Sequence, residues 1–412
     1  MTRLTLALLL TLLAIAPVAS VAGVGSTATP LATDRSGDAP ATTVESTDTV
    51  VTIQANNTTR RLDITAADRS NYSTPGMDLA SAVAVTGQEI DQGLHFEYLS
   101  VRVEQAGSAE QRRAIANAEV ARLDRGLAEL REREWAVLLA YGNGEISERE
   151  LLHRLAVIDR SASNIAAAAT QLEEDGAGFN ADDLRRRATE LQTPIRAQVS
   201  EALTGQADAA VRVHVRGSEE GVVMQSLSES RFSRDYYREA IRFDNYEEGP
   251  NTLSLNAFLD LLNARYPHAT TFDADLDETT DGTNVYVNSH DQGEIRLYND
   301  GRTEAIYREY QSLRLSDLPR GGVETVTENG TTVSLQRTPN GGPAKLVATN
   351  ALSGDAVSAE VYVDGELVGQ TDGGGSLWIL QPSDEYTVTV ETPDGTVVLE
   401  RSATTTNATV AA

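Results

Sequence analysis

Between about residues 77 and 206 the apolar positions recur with helical spacing, and Gly and Pro are scarce inside long stretches. Leu151, Leu155, Ile158, Ala162, Ile165, Ala169 and Leu172 alternate steps of four and three, a heptad seam. Val120, Leu123, Leu127, Leu130, Val137 and Tyr141 form a similar seam that Glu134 interrupts. Ser108-Ala-Glu-Gln111 and Ser147-Glu-Arg-Glu150 are capping boxes, and Asn180 ahead of Asp182 and Asp183 is a third helix start. Tyr141-Gly-Asn-Gly144 is a stop and turn, so the helices on either side are antiparallel neighbours. Met77 to Ala106 supplies a further helix, and Asn180 to Leu203 another, kinked near Pro194.

Beyond residue 207 the period changes to two. Val211 to Val215, Gly221 to Leu227, Thr283 to Asn288, Glu294 to Tyr298 and Thr303 to Tyr310 read as strands around an amphipathic helix, Ser254 to Tyr266. Asn299-Asp300-Gly301 reads as a hairpin turn. From Ala344 to Glu400 six short strands alternate with turns at Asp364-Gly365 and Asp394-Gly395, with Trp378 and Tyr386 as candidate core aromatics. The predicted fold class is multidomain: an antiparallel α-helical bundle or coiled-coil region over 51–206, an α+β module over 207–342, an all-β sandwich over 343–404 and a flexible tail over 405–412.

The chain of 412 residues opens on Met1-Thr2-Arg3 and the apolar run Leu4 to Ala16, which Pro17 ends. Ser20-Val21-Ala22 places small residues for cleavage after Ala22. Residues 1–22 therefore read as a secretory signal peptide, and 23–50 as a flexible Ser/Thr/Pro-rich tether. The run is shorter than the roughly 20 residues that span a bilayer, so no direct membrane span is expected in the mature chain. Export implies an extracellular or cell-surface location. Asn56, Asn57, Asn71, Asn329 and Asn407 then stand in sequons for N-glycosylation.

Charge narrows the setting. The net charge is −27, and of 34 basic residues only Lys345 is a lysine. At molar salt the Debye length falls to about 3 Å, so a dense carboxylate surface repels itself little. Acid enrichment with lysine loss predicts a salt-adapted, archaeal source. It also excludes nucleic acid as a partner, which requires a basic footprint. With no cysteine there is no disulfide or thiol chemistry.

Two constellations carry candidate chemistry. Arg231, Arg234, Arg238 and Arg242 interleave with Phe232, Tyr236 and Tyr237; on a helix the arginines would share one face. Arginine forks beside Tyr237 suit an anionic sugar or carboxylate polymer, and equally suit internal pairing with the chain's own acids. Asp273, Asp275, Asp277 and Asp281 mimic positions 1, 3, 5 and 9 of a Ca2+ loop. Glu278 and Asn284, however, occupy the places where that loop needs Gly and Glu, and the stretch also reads as an acidic solvated loop. His95, His153, His214, His268 and His290 are scattered, and no zinc-protease, nucleophile-elbow or phosphate-loop motif occurs. No catalytic residue is assigned, and no cofactor beyond that Ca2+ candidate.

Val361-Tyr-Val-Asp-Gly-Glu-Leu-Val-Gly-Gln-Thr-Asp-Gly373, followed by Tyr386-Thr-Val-Thr-Val390, resembles the carboxypeptidase regulatory-like or PEGA-type β-sandwich. That resemblance implies a stalk, stabiliser or adhesive module. The whole arrangement, with Glu148-Arg-Glu-Leu-Leu152 and Gly293-Glu-Ile-Arg-Leu-Tyr-Asn-Asp-Gly301, resembles exported multidomain proteins of halophilic archaea. The expected function is non-enzymatic: envelope association through an envelope protein or self-association of the helical region. The alternatives are a binder of anionic sugar or polymer and an envelope-polymer hydrolase.

Overall fold

The computed structural model describes residues 62–401, apart from 66, 175–179, 208–209, 230–233, 271–273, 340 and 383–384. The predicted signal peptide, the tether, Arg231, Asp273, Asn56, Asn57 and Asn407 lie outside the described residues.

After strand β1 (Arg69–Ser73) come five helices: α1 (Leu79–Glu104), α2 (Ala109–Gly142), α3 (Glu148–Glu174), α4 (Asp182–Glu190) and α5 (Pro194–Thr204). Ser108 caps α2 through a bond to the Gln111 amide, and Thr193 caps α5 through the Arg196 amide. The expected kink at Pro194 is instead a break, because proline fits the first turn of a new helix better than the middle of an old one.

The expected self-contained helical bundle is not what forms. Strands β2 (Val213–Ser218), β3 (Gly221–Glu229) and β4 (Arg234–Arg242) are followed by helix α6 (Leu255–Arg265). Then come β5 (Asp275–Glu278), β6 (Asn284–His290), β7 (Gly293–Asn299) and β8 (Arg308–Arg314). They build one eight-stranded antiparallel sheet, ordered β1-β2-β3-β4-β8-β7-β6-β5. Leu123, Leu127 and Leu138 of α2 and Leu151, Leu155 and Ile158 of α3 share a single core with Val213, Val215, Val222, Met224 and Ile241 of the sheet. The seams read as helix-to-helix contacts are also helix-to-sheet contacts: a helix buried on more than one side must cover a sheet as well as its neighbours. At the α2 end the approach is close. A Cβ on Gly217 would stand 2.6 Å from the Tyr141 ring, and one on Gly142 2.5 Å from the Ser218 carbonyl oxygen.

The sheet's far face is covered too. Phe258 and Leu262 of α6 pack on Tyr286, Ile295 and Leu297. Tyr236, Leu313, Leu315 and Leu318 meet Leu380 of the C-terminal sandwich. That sandwich pairs two four-stranded sheets. One has the order β14-β11-β10-β9, from β9 (Val323–Glu328), β10 (Thr331–Gln336), β11 (Ala344–Asn350) and β14 (Ser376–Ile379). The other is β13-β12-β15-β16, from β12 (Glu360–Val363), β13 (Glu366–Gln370), β15 (Tyr386–Thr392) and β16 (Gly395–Arg401). The β-sandwich expected at the C-terminus is present, and it includes Val323–Gln336, a stretch read from sequence as part of the middle module. Tyr386 is in its core, whereas Trp378 sits half-buried at the contact with the large sheet.

Candidate functional site

The Arg/Tyr constellation lies on β4, not on a helix. Strand alternation still gives Arg234, Arg238 and Arg242 one face, the far face of the sheet, while Tyr237 points to the helices. Each arginine is already engaged. Arg238, 3% exposed, pairs with Glu309 at 2.7 Å. Arg242 pairs with Asp244 at 2.5 Å, and Arg234 reaches Asp372 of the sandwich at 3.3 Å. Tyr266 donates its hydroxyl to the other oxygen of Glu309 at 2.7 Å.

The aspartates likewise form a strand edge. Asp275 and Asp277 sit on β5, the outer strand of the large sheet, where acidic side chains discourage pairing with another chain. Asp277 pairs with Arg186 at 3.0 Å, and Asp281 pairs with Arg131. Among the described residues, no group of three or more His, Cys, Asp or Glu side chains could hold a metal ion. Asn71 is exposed on the edge strand β1. Asn329 is exposed in the β9–β10 turn at φ +48°, and its side-chain amide donates to the Thr396 carbonyl at 2.8 Å.

Sequence reading missed the ion-pair network between helices and sheet. Glu134, which breaks the α2 seam, is fully buried. Its Oε2 accepts a hydrogen bond from Arg308 at 2.5 Å, and its Oε1 lies 2.5 Å from Arg196 as an ion pair. Arg196 also binds Glu239, which accepts from the Thr193 hydroxyl at 2.9 Å. Arg131 pairs with Glu190 at 2.9 Å, and Tyr307 donates to Glu190 at 2.7 Å. Three carboxylates thus face three guanidiniums. Burial pushes the Glu134 carboxyl up, but the Arg308 and Arg196 charges outweigh it and hold the group below its ordinary value. The broken seam at Glu134 was the available signal.

Beside the network a polar cleft of about 450 Å³ opens between α3, α5 and Arg296 of β7. Asp159, Ser163, Gln192, Thr193 and Ser200 are among its lining residues. Asp159 accepts the Thr193 backbone N–H at 3.0 Å. Burial pushes its carboxyl up to about 6, against the lowering effect of that hydrogen bond and of Arg196. A carboxyl raised on folding stabilises the fold fully below its unfolded value of 3.8, and that stability is lost as pH climbs through about 6. Asp159→Asn keeps an acceptor for Thr193 and is expected to abolish this slope, worth about 3 kcal/mol between pH 4 and 7. Urea midpoints of the two proteins across that range check it.

The third feature is apolar. Among the described residues, Met77, Leu79, Val83, Ile90, Leu94, Tyr98 and Val101 make up seven of the thirteen large hydrophobic side chains left exposed, and all lie on or just before α1. Leu99 and Val103, on the opposite side of the same helix, are buried, Leu99 within the core that the helices share with the sheet. No helix among the described residues is long and apolar enough to cross a membrane.

No curated protein and no solved structure matches the chain. Residues 322–399 match the archaeal fibronectin-III type-like domain, which covers the sandwich from β9 into β16. Residues 213–319 match a family of unknown function, DUF7094, and residues 1–208 match a domain of unknown function, DUF7096. The chain is thus a modular protein of archaeal type, and its sandwich matches the archaeal fibronectin-III type-like family where the sequence resembled a PEGA-type module. With half of its length matched, the chain belongs to the family described as domain of unknown function DUF7096.

Proposed function

We propose that this chain is an exported, non-enzymatic protein of the archaeal cell surface that works by association through its helical layer. The observation that carries the reading is the exposed apolar face of α1. A chain of net charge −27 keeps its surface hydrated almost everywhere. Six large apolar side chains along one helix, with Met77 just before it, form a patch of the kind that marks an interaction site. Of the residues that suggested sugar or Ca2+ binding, Arg234, Arg238, Arg242, Asp277 and Asp281 are engaged in internal ion pairs, which favours association over ligand capture. The acidic, lysine-poor surface supports a high-salt setting, and the N-terminal apolar run supports export.

Crosslinking in intact native cells at high salt, read by mass spectrometry, tests this. Crosslinks from residues 77–104, to a surface protein or to another copy of the chain, are expected. A chain recovered free in the medium, with no crosslink from that segment, would overturn the reading.

A further inference from the structure

We infer that α1 is the contact of a two-fold dimer, in which it packs antiparallel along α1 of a second copy of this chain. The inference rests on the association reading and names its partner.

The face is one line. At 100° per residue, Val83, Ile90, Leu94 and Val101 fall within about 20° of a single line along the helix, and Tyr98 and Leu79 flank it. Leu99 and Val103 lie roughly opposite, where α1 is buried. The helix is therefore apolar on two sides, and only one side is covered by the described residues.

The line is also self-complementary. Val83 and Val101 are equidistant from position 92, and so are Ile90 and Leu94. A two-fold axis at that level sets Val83 against Val101 of the second copy, and Ile90 against its Leu94. An isologous interface requires that property of a single surface. Gly87 has nothing within 4 Å of where a Cβ would stand, which leaves room for the Tyr98 ring of the second copy.

Charge selects the direction. Leu79 to Gln88 contains no charged residue, whereas Glu97, Arg102 and Glu104 are exposed in the second half of α1. Antiparallel packing lays the end that carries Glu97, Arg102 and Glu104 against the uncharged stretch Leu79 to Gln88, while Glu89 and Asp91 stay near the level of the axis. Parallel packing would stack Glu97 on Glu97. Area agrees: seven such side chains offer on the order of 700 Å² per chain, close to the roughly 800 Å² per partner of a specific interface.

The chain has no cysteine, so introduced thiols are unambiguous. Under oxidation in molar KCl, the V83C/V101C double variant should become a covalent dimer, while V83C and V101C alone should not. Within one helix the two positions are about 27 Å apart and cannot close on each other. Sedimentation equilibrium should give two chains per particle for the unmodified protein. It should give one for the Ile90→Asp/Leu94→Asp variant, with an unchanged circular dichroism spectrum because both side chains are exposed. Self-linking of the single variants, absence of linking in the double variant, or a wild-type monomer would each overturn the antiparallel dimer. A monomer that co-floats with anionic lipid vesicles would overturn it in favour of a lipid surface. A monomer that still crosslinks through 77–104 to another surface protein would sink the dimer and leave the association reading standing.

Discussion

Glu134→Ala is expected to destabilise the fold by about 3–5 kcal/mol, the range for removing one partner of a buried ion pair. The glutamate touches two guanidiniums that are as buried as it is. Its loss leaves Arg308 and Arg196 with less negative charge than their desolvation demands. They cannot turn to water, because α2, α5 and β8 enclose them. Urea unfolding should show the loss as a fall in midpoint with an unchanged slope. Glu129→Ala, an exposed change on the same helix, should stay within about 0.5 kcal/mol. The wild type should also lose stability in acid. A carboxyl held below its ordinary value on folding contributes stability that is complete above the unfolded value and vanishes as pH falls through the folded one. The variant should lack that part of the acid slope.

Arg238→Ala should cost a similar amount, about 3–5 kcal/mol, on the other face of the sheet. Arg238 bonds Glu309 and the Leu62 carbonyl, while Glu309 also accepts from Tyr266 and Gln311. Without the guanidinium, a buried carboxylate loses its 2.7 Å ion pair and is left with the neutral donors Tyr266 and Gln311 in place of that charge. Arg242→Ala, on the same strand but partly exposed beside Asp244, should cost less than about 1 kcal/mol. A ligand-binding pair would behave the other way: both variants would stay folded and both would lose binding. Replacing both buried partners, as Arg238→Met with Glu309→Leu, should recover much of the loss, because no uncompensated charge remains. Chemical denaturation of the four proteins in the same salt settles the comparison.

Helix positions were well marked in the chain because capping is local: Ser108 and Ser147 declare their helices within four residues. Strands β2, β3, β6 and β7 were legible through alternation and turns, whereas β1, β4 and β5 were not read as strands. What the helices pack against was not. Leu151 and Leu155 look alike whether they face another helix or Val215, so periodicity yielded a bundle where the protein has a helical layer on a sheet. The segment from Arg234 to Arg242 was misjudged because its arginines recur every four residues, a spacing that suits a helical face and every second position of a strand equally well. The ion-pair network was invisible because its members lie far apart in sequence: Glu134 and Arg308 are 174 residues apart. The α1 face was present in the sequence, but nothing local told its covered side from its bare one.

Strand β1 has a consequence for how the gene can be cut. It lies in the segment matched by one family, yet its hydrogen bonds go to β2 in the segment matched by another. The boundary near residue 210 thus separates two sequence families without separating two folding units. A fragment ending at 208 would leave Leu151, Leu155 and Leu127 facing water, and one covering 213–319 would bare Val213, Val215 and Met224. During synthesis β1 emerges first and waits unpaired until Val213 to Ser218 have followed, with all five helices in between. The smallest piece expected to refold alone runs from about residue 62 to 319. The two matched segments, made as separate chains, should aggregate singly and rescue each other when mixed.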